Sequence, residues 1–309
     1  MYLKKFLLTT LAGSLSLVAL SASADDANGQ WSITAEGMYA KQNSVLPSYG
    51  RTSNTGEFLD FPSDNEWGYG VAIGYAMPNS QHDVVLSYDN LSTDDSTTHP
   101  ETSNYSFPGF SAANGQVYAK SKLDYQAVDL LIGTTCNFSD NLDGRLGYGV
   151  SYVDIDQHGT VTPSAGTAGS FAKNKSTFQG FGPKVTGDLS YKFVDNFSFV
   201  AGVGGSMLFG EAKTHTTAKG TPGVVDVNDS NEKVAFALES KAGFRYDFAF
   251  NQQSAMNIEI GYKGTNVLNA MDDVNAGYTF AAGNNSAGYS YDDNYYNYGG
   301  YVSLGVDFM

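Results

Sequence analysis

The sequence has a single cysteine, Cys136, so no disulfide can form within the chain, and no Cys/His cluster has the spacing of a zinc site. Histidine is scarce at four residues and proline at eight. Basic residues are few as well: 17 Lys and Arg stand against 32 Asp and Glu, a formal net charge of −15. That balance argues against nucleic acid as a partner, because phosphate binding needs clustered cations. Charged residues make up only 16% of the 309 residues, below the usual share of a soluble domain. After the first 24 residues no run reaches the roughly 18 apolar residues of a membrane-spanning helix. A β-barrel escapes that test, since its apolar face hides in alternate residues and leaves a mean hydropathy as low as the −0.26 found here.

What the chain does have is aromatic rings and glycine: Tyr 21, Phe 19, Trp 2 and Gly 35. Disordered chains lack the aromatics. The first residues read as an export signal. Lys4 and Lys5 form a basic start, Phe6 to Leu20 an apolar stretch, and Ala22-Ser23-Ala24 a small-residue cleavage site. The expected organisation is a signal peptide over 1–24, cleaved after Ala24, and a single domain over 25–309.

The period of that domain is two. Val185, Leu189, Tyr191 and Phe193 share one parity, and Lys184, Thr186, Asp188 and Lys192 the other. Val234, Phe236, Leu238, Phe244, Tyr246 and Phe248 alternate with Lys233, Glu239, Lys241, Arg245 and Asp247. Such alternation puts apolar side chains on one face of a strand and charges on the other. About ten such segments follow one another. In Leu123 to Thr135 the parity changes, and a β-bulge is the expected remedy. Short turns such as 77–81, 137–141, 194–196 and 249–253 alternate with long connections near 42–65, 93–120, 157–176, 210–231 and 268–294. A transmembrane barrel is built this way, with short periplasmic turns and long extracellular loops. The fold class is therefore all-β, a transmembrane antiparallel barrel of about ten strands. Trp31, Tyr39, Trp67, Tyr75, Tyr152, Tyr191, Tyr246, Phe248, Tyr262 and Phe308 fall near strand ends, where an aromatic girdle meets the two membrane interfaces.

Several segments carry a resemblance. Trp67 to Pro78, Phe178 to Lys184, Met207 to Gly210, Tyr262 to Ala270 and the closing Gly299 to Phe308 resemble, in their order and spacing, the Legionella major outer membrane protein family. The resemblance implies a pore-forming barrel in the bacterial outer membrane, exposed on the cell surface after Sec-type export. It also implies cysteine-linked oligomers, for which this chain offers only Cys136. The chain ends Phe308-Met309, whereas the usual assembly signal of such barrels ends on the aromatic residue.

Parity predicts the lumen. The expected inward charges are Glu36, Asp83, Asp124, Arg145, Lys184, Asp188, Lys192, Lys233, Glu239, Lys241, Arg245, Glu259 and Lys263, joined by Asp89, Lys122, Asp247 and Asp307. Their signs nearly balance, which assigns the acidic surplus to an outer mouth that includes Glu57, Asp60, Asp64, Glu66, Asp94, Asp95, Asp272, Asp273, Asp292 and Asp293. The expected function is a porin-like protein passing small, preferentially cationic solutes. The alternative is a non-conducting surface barrel, an adhesin or structural protein, because ten strands enclose a narrow bore. Outer-membrane lipid and small solutes or ions are the expected partners, with homo-oligomers and host-surface ligands left open. No cofactor or metal is expected. Asp94-Asp95, Asp272-Asp273 and Asp292-Asp293 are carboxylate pairs and His99, His158 and His215 fall in long connections, but adjacent loop carboxylates point apart and no nucleophile elbow occurs. The expectation is that the chain is not an enzyme.

Overall fold

Strand-forming residues in period two, with few prolines to interrupt them, produce strands longer than a bilayer requires. The computed structural model describes residues 29–44, 50–51, 58–59, 61–99, 105–107, 110–112, 117–163, 171–219, 224–251, 254–275 and 289–309. In chain order the strands are β1 (Gln30–Ser44), β2 (Gly50–Arg51), β3 (Phe58–Leu59), β4 (Asn65–Ala76), β5 (His82–His99), β6 (Tyr105–Phe107), β7 (Phe110–Ala112), β8 (Val117–Ser139), β9 (Leu142–Pro163), β10 (Phe171–Val194), β11 (Phe197–Lys219), β12 (Val224–Asn251), β13 (Ser254–Asn275) and β14 (Tyr289–Phe308). Ten of them close a barrel in the order β1-β14-β13-β12-β11-β10-β9-β8-β5-β4, every neighbour antiparallel. The pairs β2/β3 and β6/β7 are separate two-stranded ribbons. Closure removes the unpaired edges that an open sheet would present.

The first and last strands close the barrel: Trp31 pairs with Phe308 on one side and with Tyr75 on the other. Short turns join β4 to β5, β8 to β9, β10 to β11 and β12 to β13. Asn79 and Asn196 in two of these turns have φ of 52° and 66°, a conformation asparagine tolerates better than most residues. The other connections are shorter than the sequence suggests. Strands β5, β8, β9, β10, β11 and β12 run far into the segments expected as long loops, so His99, His158 and His215 all lie on strands. A spanning strand needs about 9–11 residues, and β12 has 28. The barrel therefore stands well clear of the bilayer at one end.

The parity change in β8 is not a bulge. Pairing with β5 and β9 runs without a register shift from Val117 to Asn137. Residues 117, 119, 121, 123, 125, 127, 129 and 131 all face inward, and the even residues between them face outward. What changes is the chemistry. Outward residues Val128, Leu130 and Ile132 are apolar, whereas Lys120, Lys122, Asp124 and Gln126 above them are polar. Inward, Asp129 and Gly133 give way to Leu123, Tyr125 and Ala127. Strands β9, β10 and β11 invert in the same way. The lower barrel is apolar outside and polar inside, as lipid demands, while higher up β8 to β11 are polar outside and meet an apolar layer inside, as water demands.

Short turns face the periplasm in such barrels, so the orientation can be tested. In a Cys136→Ser background, a membrane-impermeant maleimide is expected to label Lys122→Cys on intact cells. Ser139→Cys, at the turn between β8 and β9, is expected to react only after permeabilisation. Labelling in the opposite order would turn the barrel over.

Candidate functional site

Among the described residues, the lower lumen holds four clusters of charged groups, each bridging strands. Arg145 on β9 donates through Nε to Asp83 Oδ2 at 2.8 Å and through Nη2 to Oδ1 at 2.5 Å, while its Nη1 lies 3.8 Å from Asp188. No Cβ would fit at Gly133, because the Arg145 guanidinium fills that space. Glu259 on β13 receives the Arg245 guanidinium at 2.6 and 3.1 Å, the Tyr301 hydroxyl at 2.6 Å and Lys241 Nζ at 3.4 Å. Lys184 on β10 reaches Asp129 at 2.8 Å and Glu239 at 2.6 Å. Lys263 on β13 bonds Glu36 at 2.8 Å and reaches across the lumen to Asp89 on β5 at 3.4 Å. Gly202 gives Asp188 and Lys241 room to cross the wall, since a Cβ there would stand 2.5 Å from the Asp188 carboxylate.

Above these clusters an apolar septum closes the lumen. Leu123, Tyr125, Ile155, Phe178, Leu208 and Met271 are its large members, with Val153, Val267, Tyr295 and several alanines filling between them. Tyr125 on β8 and Tyr295 on β14 stack across the lumen, with ring centroids 5.0 Å apart and planes 3° from parallel. Tyr295 donates to Gln42 Oε1 at 2.8 Å and accepts from Asn297 at 2.8 Å, so its hydroxyl is satisfied without water. Gln42 in turn donates to the Leu123 carbonyl across the barrel at 3.2 Å. A bulge in β13 between Val267 and Met271 carries Ala270 and Met271 into the septum, and Asn269 at its crest has φ 60°. Above the septum, Lys233 pairs with Asp272, whose carbonyl accepts from Ser176 and Thr214.

Two cavities lie below the septum. The smaller, about 60 Å³, is bounded by Tyr125, Lys184, Glu239 and Lys263 and has room for only one or two waters. The larger, about 430 Å³, is a vestibule at the short-turn mouth, lined by Arg145, Asp188, Lys192, Arg245, Asp247 and Asp307.

Of the residues expected in the lumen, Glu36, Asp83, Arg145, Lys184, Asp188, Lys233, Glu239, Lys241, Arg245, Glu259 and Lys263 do lie inside, and Lys192 lies at its lower mouth. Asp124 does not. It projects outward beside Lys122, because β8 keeps its parity while its outer face turns polar. Asp95 and Asp272, expected at an exposed mouth, are buried inward, and Asp129, Tyr295 and Tyr301 also face the lumen. The alternation of Val128, Leu130 and Ile132 carries the signal for Asp129, and the shared parity with Asn297, Ser303 and Asp307 carries it for Tyr295 and Tyr301. With these changes the inward acids outnumber the inward bases. Trp31, Tyr39, Trp67, Tyr75, Tyr152, Tyr191, Tyr246, Phe248, Tyr262 and Phe308 all project outward, and Trp31–Tyr75 and Tyr39–Trp67 pack at 4.8 and 5.2 Å. Ala24, Glu57 and Asp60 lie outside the described residues.

A family model described as the Legionella pneumophila major outer membrane protein precursor matches residues 24–308. No curated protein matches the chain. Among solved structures, the outer membrane protease OmpT from Escherichia coli is 12% identical, covering 91% of this chain and 96% of that one with a TM-score of 0.47. A TodX deltaS2S3 mutant, a monoaromatic hydrocarbon channel, is 12% identical over 96% of both chains, with a TM-score of 0.43. The Pseudomonas putida toluene transporter TodX is 10% identical over 91% of this chain and 89% of that one, with a TM-score of 0.36. The expectation that the chain is not an enzyme is corrected by this comparison, since an outer membrane protease stands among the similar barrels. At 12% identity that likeness does not establish an enzyme either.

Proposed function

The chain belongs to the Legionella pneumophila major outer membrane protein family, and from that premise we propose that this outer-membrane barrel is a narrow channel for small solutes, preferring cations and closed here by its septum. The observation that carries the reading is the acid-rich polar column running from the vestibule up to the septum, the apolar layer that closes it. A cation entering this column meets carboxylates in a low-dielectric wall, which raises its local concentration and repels anions. The aromatic rings that project outward at the two borders of the apolar belt, in mid-strand for Tyr152 and Tyr262, would anchor the barrel at the two interfaces. A second reading, a permanently closed surface barrel, is favoured by the septum itself and by the pairing of the lumen charges.

Planar-bilayer recording separates the two readings. Tyr295→Ala combined with Phe178→Ala removes two of the three rings of the septum and is expected to raise the conductance about tenfold or more over the native protein. The reversal potential under a KCl gradient should favour potassium. Because the acids lie inside the lumen, the bias should survive 1 M salt, where screening shortens to about 3 Å and loop charges would be silenced. An anion-selective current contradicts the channel reading. Silence from both proteins leaves the closed surface barrel.

A further inference from the structure

The barrel wall is not of even height. The uppermost pair between β4 and β1 is Asn65 with Lys41, and between β4 and β5 it is Gly68 with Leu91. Above these, β5 continues to His99 paired with β8, and β1 continues to Ser44 paired with β14. Among the described residues, neither has a barrel neighbour on the β4 side there. The wall therefore has a notch one strand wide, roughly 10 Å across at the usual strand spacing. Strand edges left open in this way are normally covered.

Residues 61–64, which lead into β4, cover the notch from the lumen side. The Pro62 carbonyl accepts from Ser121 Oγ on β8 at 2.7 Å, the Asp64 N–H donates to Asp95 Oδ2 on β5 at 2.8 Å, and Ser63 Oγ donates to the Gln42 carbonyl on β1. Phe61 packs on Val117, Ala119 and Val161, all buried on the inner face of β8 and β9. Among the described residues, this strap is the only non-strand segment at the long-loop end of the barrel. The septum side chains sit on strands held by continuous ladders, whereas three side-chain hydrogen bonds and one half-buried ring hold the strap. A segment with so few buried contacts opens locally far more readily than the barrel unfolds. Its anchors adjoin the septum. Gln42, which carries Ser63 on its carbonyl, holds the Leu123 carbonyl and the Tyr295 hydroxyl with its side chain. Ser121 lies two residues above Leu123, and Asp95 two above Thr93, which pairs with Leu123.

We propose that residues 61–64 are a movable outer lid. Seated in the notch, the lid covers the septum and braces Gln42; withdrawn, it opens the septum to the outside and frees Gln42 to release Tyr295 and Leu123. Withdrawal breaks no rung of the barrel ladder, so the wall stays closed below Asn65 while the lid moves. That withdrawal lets solutes pass rests on the channel reading. That it governs access to the septum does not.

The experiment uses the full chain with Cys136→Ser and two readouts. In nanodiscs, Thr93→Cys, buried beneath the strap, reports access by its rate of reaction with a membrane-impermeant maleimide. Loosening the strap with Phe61→Ala/Ser63→Ala is expected to speed that reaction about tenfold, the effect of losing a ring contact and a hydrogen bond on a local opening equilibrium. Folding is checked by heat-modifiable mobility. If the double variant fails to fold, Ser63→Ala alone should still give about a threefold gain. In planar bilayers without the Thr93 change, the loosened strap should raise the open probability by a similar factor. Pro62→Cys/Ser121→Cys, joined by a short bifunctional methanethiosulfonate, should silence the openings until dithiothreitol releases the link. Equal labelling rates in native and loosened proteins overturn the lid. Unchanged current through the tethered protein also overturns it, by making 61–64 a fixed part of the wall. If no protein conducts while labelling follows the strap, the channel reading fails and the lid stands.

Discussion

Glu259→Ala is expected to destabilise the barrel by about 3–5 kcal/mol, measured as urea unfolding of the protein refolded in detergent micelles. Glu259 is 1% exposed and is the shared acceptor for Arg245, Lys241 and Tyr301. Its removal takes their shared acceptor from two buried cations in a lumen walled by lipid. Truncating Arg245 should cost less, because Glu259 keeps Lys241 and Tyr301. Replacing both Glu259 and Arg245 by leucine should recover much of the loss, since a buried pair often contributes little more than an apolar pair of the same shape. The measurement also decides how wet the lumen is. A cost below about 1 kcal/mol is what a solvent-screened surface pair shows, and it would mean that water fills the column beneath the septum. A cost in the expected range means that the column is dry while the septum is shut, and that the septum must open before ions can pass.

The strand repeat and the closing motif, Gly299 to Phe308, were legible because period two survives wherever one face meets lipid. The four ion clusters were half legible: parity placed Arg145, Lys184, Glu259 and Lys263 inside but could not say which carboxylate each would meet, because partners such as Asp83 and Asp89 come from distant strands. The septum was not legible. Its residues alternate in the same period as the lipid face, so Leu123, Tyr125 and Phe178 read like belt residues with the wrong parity. Alternation reports that two faces differ, not which face meets water, and in the upper barrel that relation is reversed. The same reversal hid the outward Asp124 and Lys122 and turned segments expected as loops into strand.

That reversal predicts opposite tolerances on one face of one strand. Leu189 and Gln179 both project outward from β10, and Phe181 and Phe193 bound the apolar stretch that holds Leu189 near its middle. Leu189→Arg is expected to cost about 2–4 kcal/mol, the penalty for a guanidinium facing hydrocarbon near the midplane. Gln179→Arg, ten residues up the same face, should stay within about 0.5 kcal/mol, since Gln179 is exposed and bonds Asp154 at 3.2 Å. Asp188→Arg is no neutral control for Leu189. The Asp188 carboxylate is buried against Arg145 and within the field of Lys241 and Arg245, so a third guanidinium there would meet like charge in the lumen. Asp188→Asn keeps the shape and removes one charge, and its smaller effect is the proper comparison. Urea midpoints of the refolded variants in one lipid composition give the answer. If Leu189→Arg and Gln179→Arg cost the same, the outer face does not change from lipid to water between them, and the membrane boundary drawn across β10 is wrong.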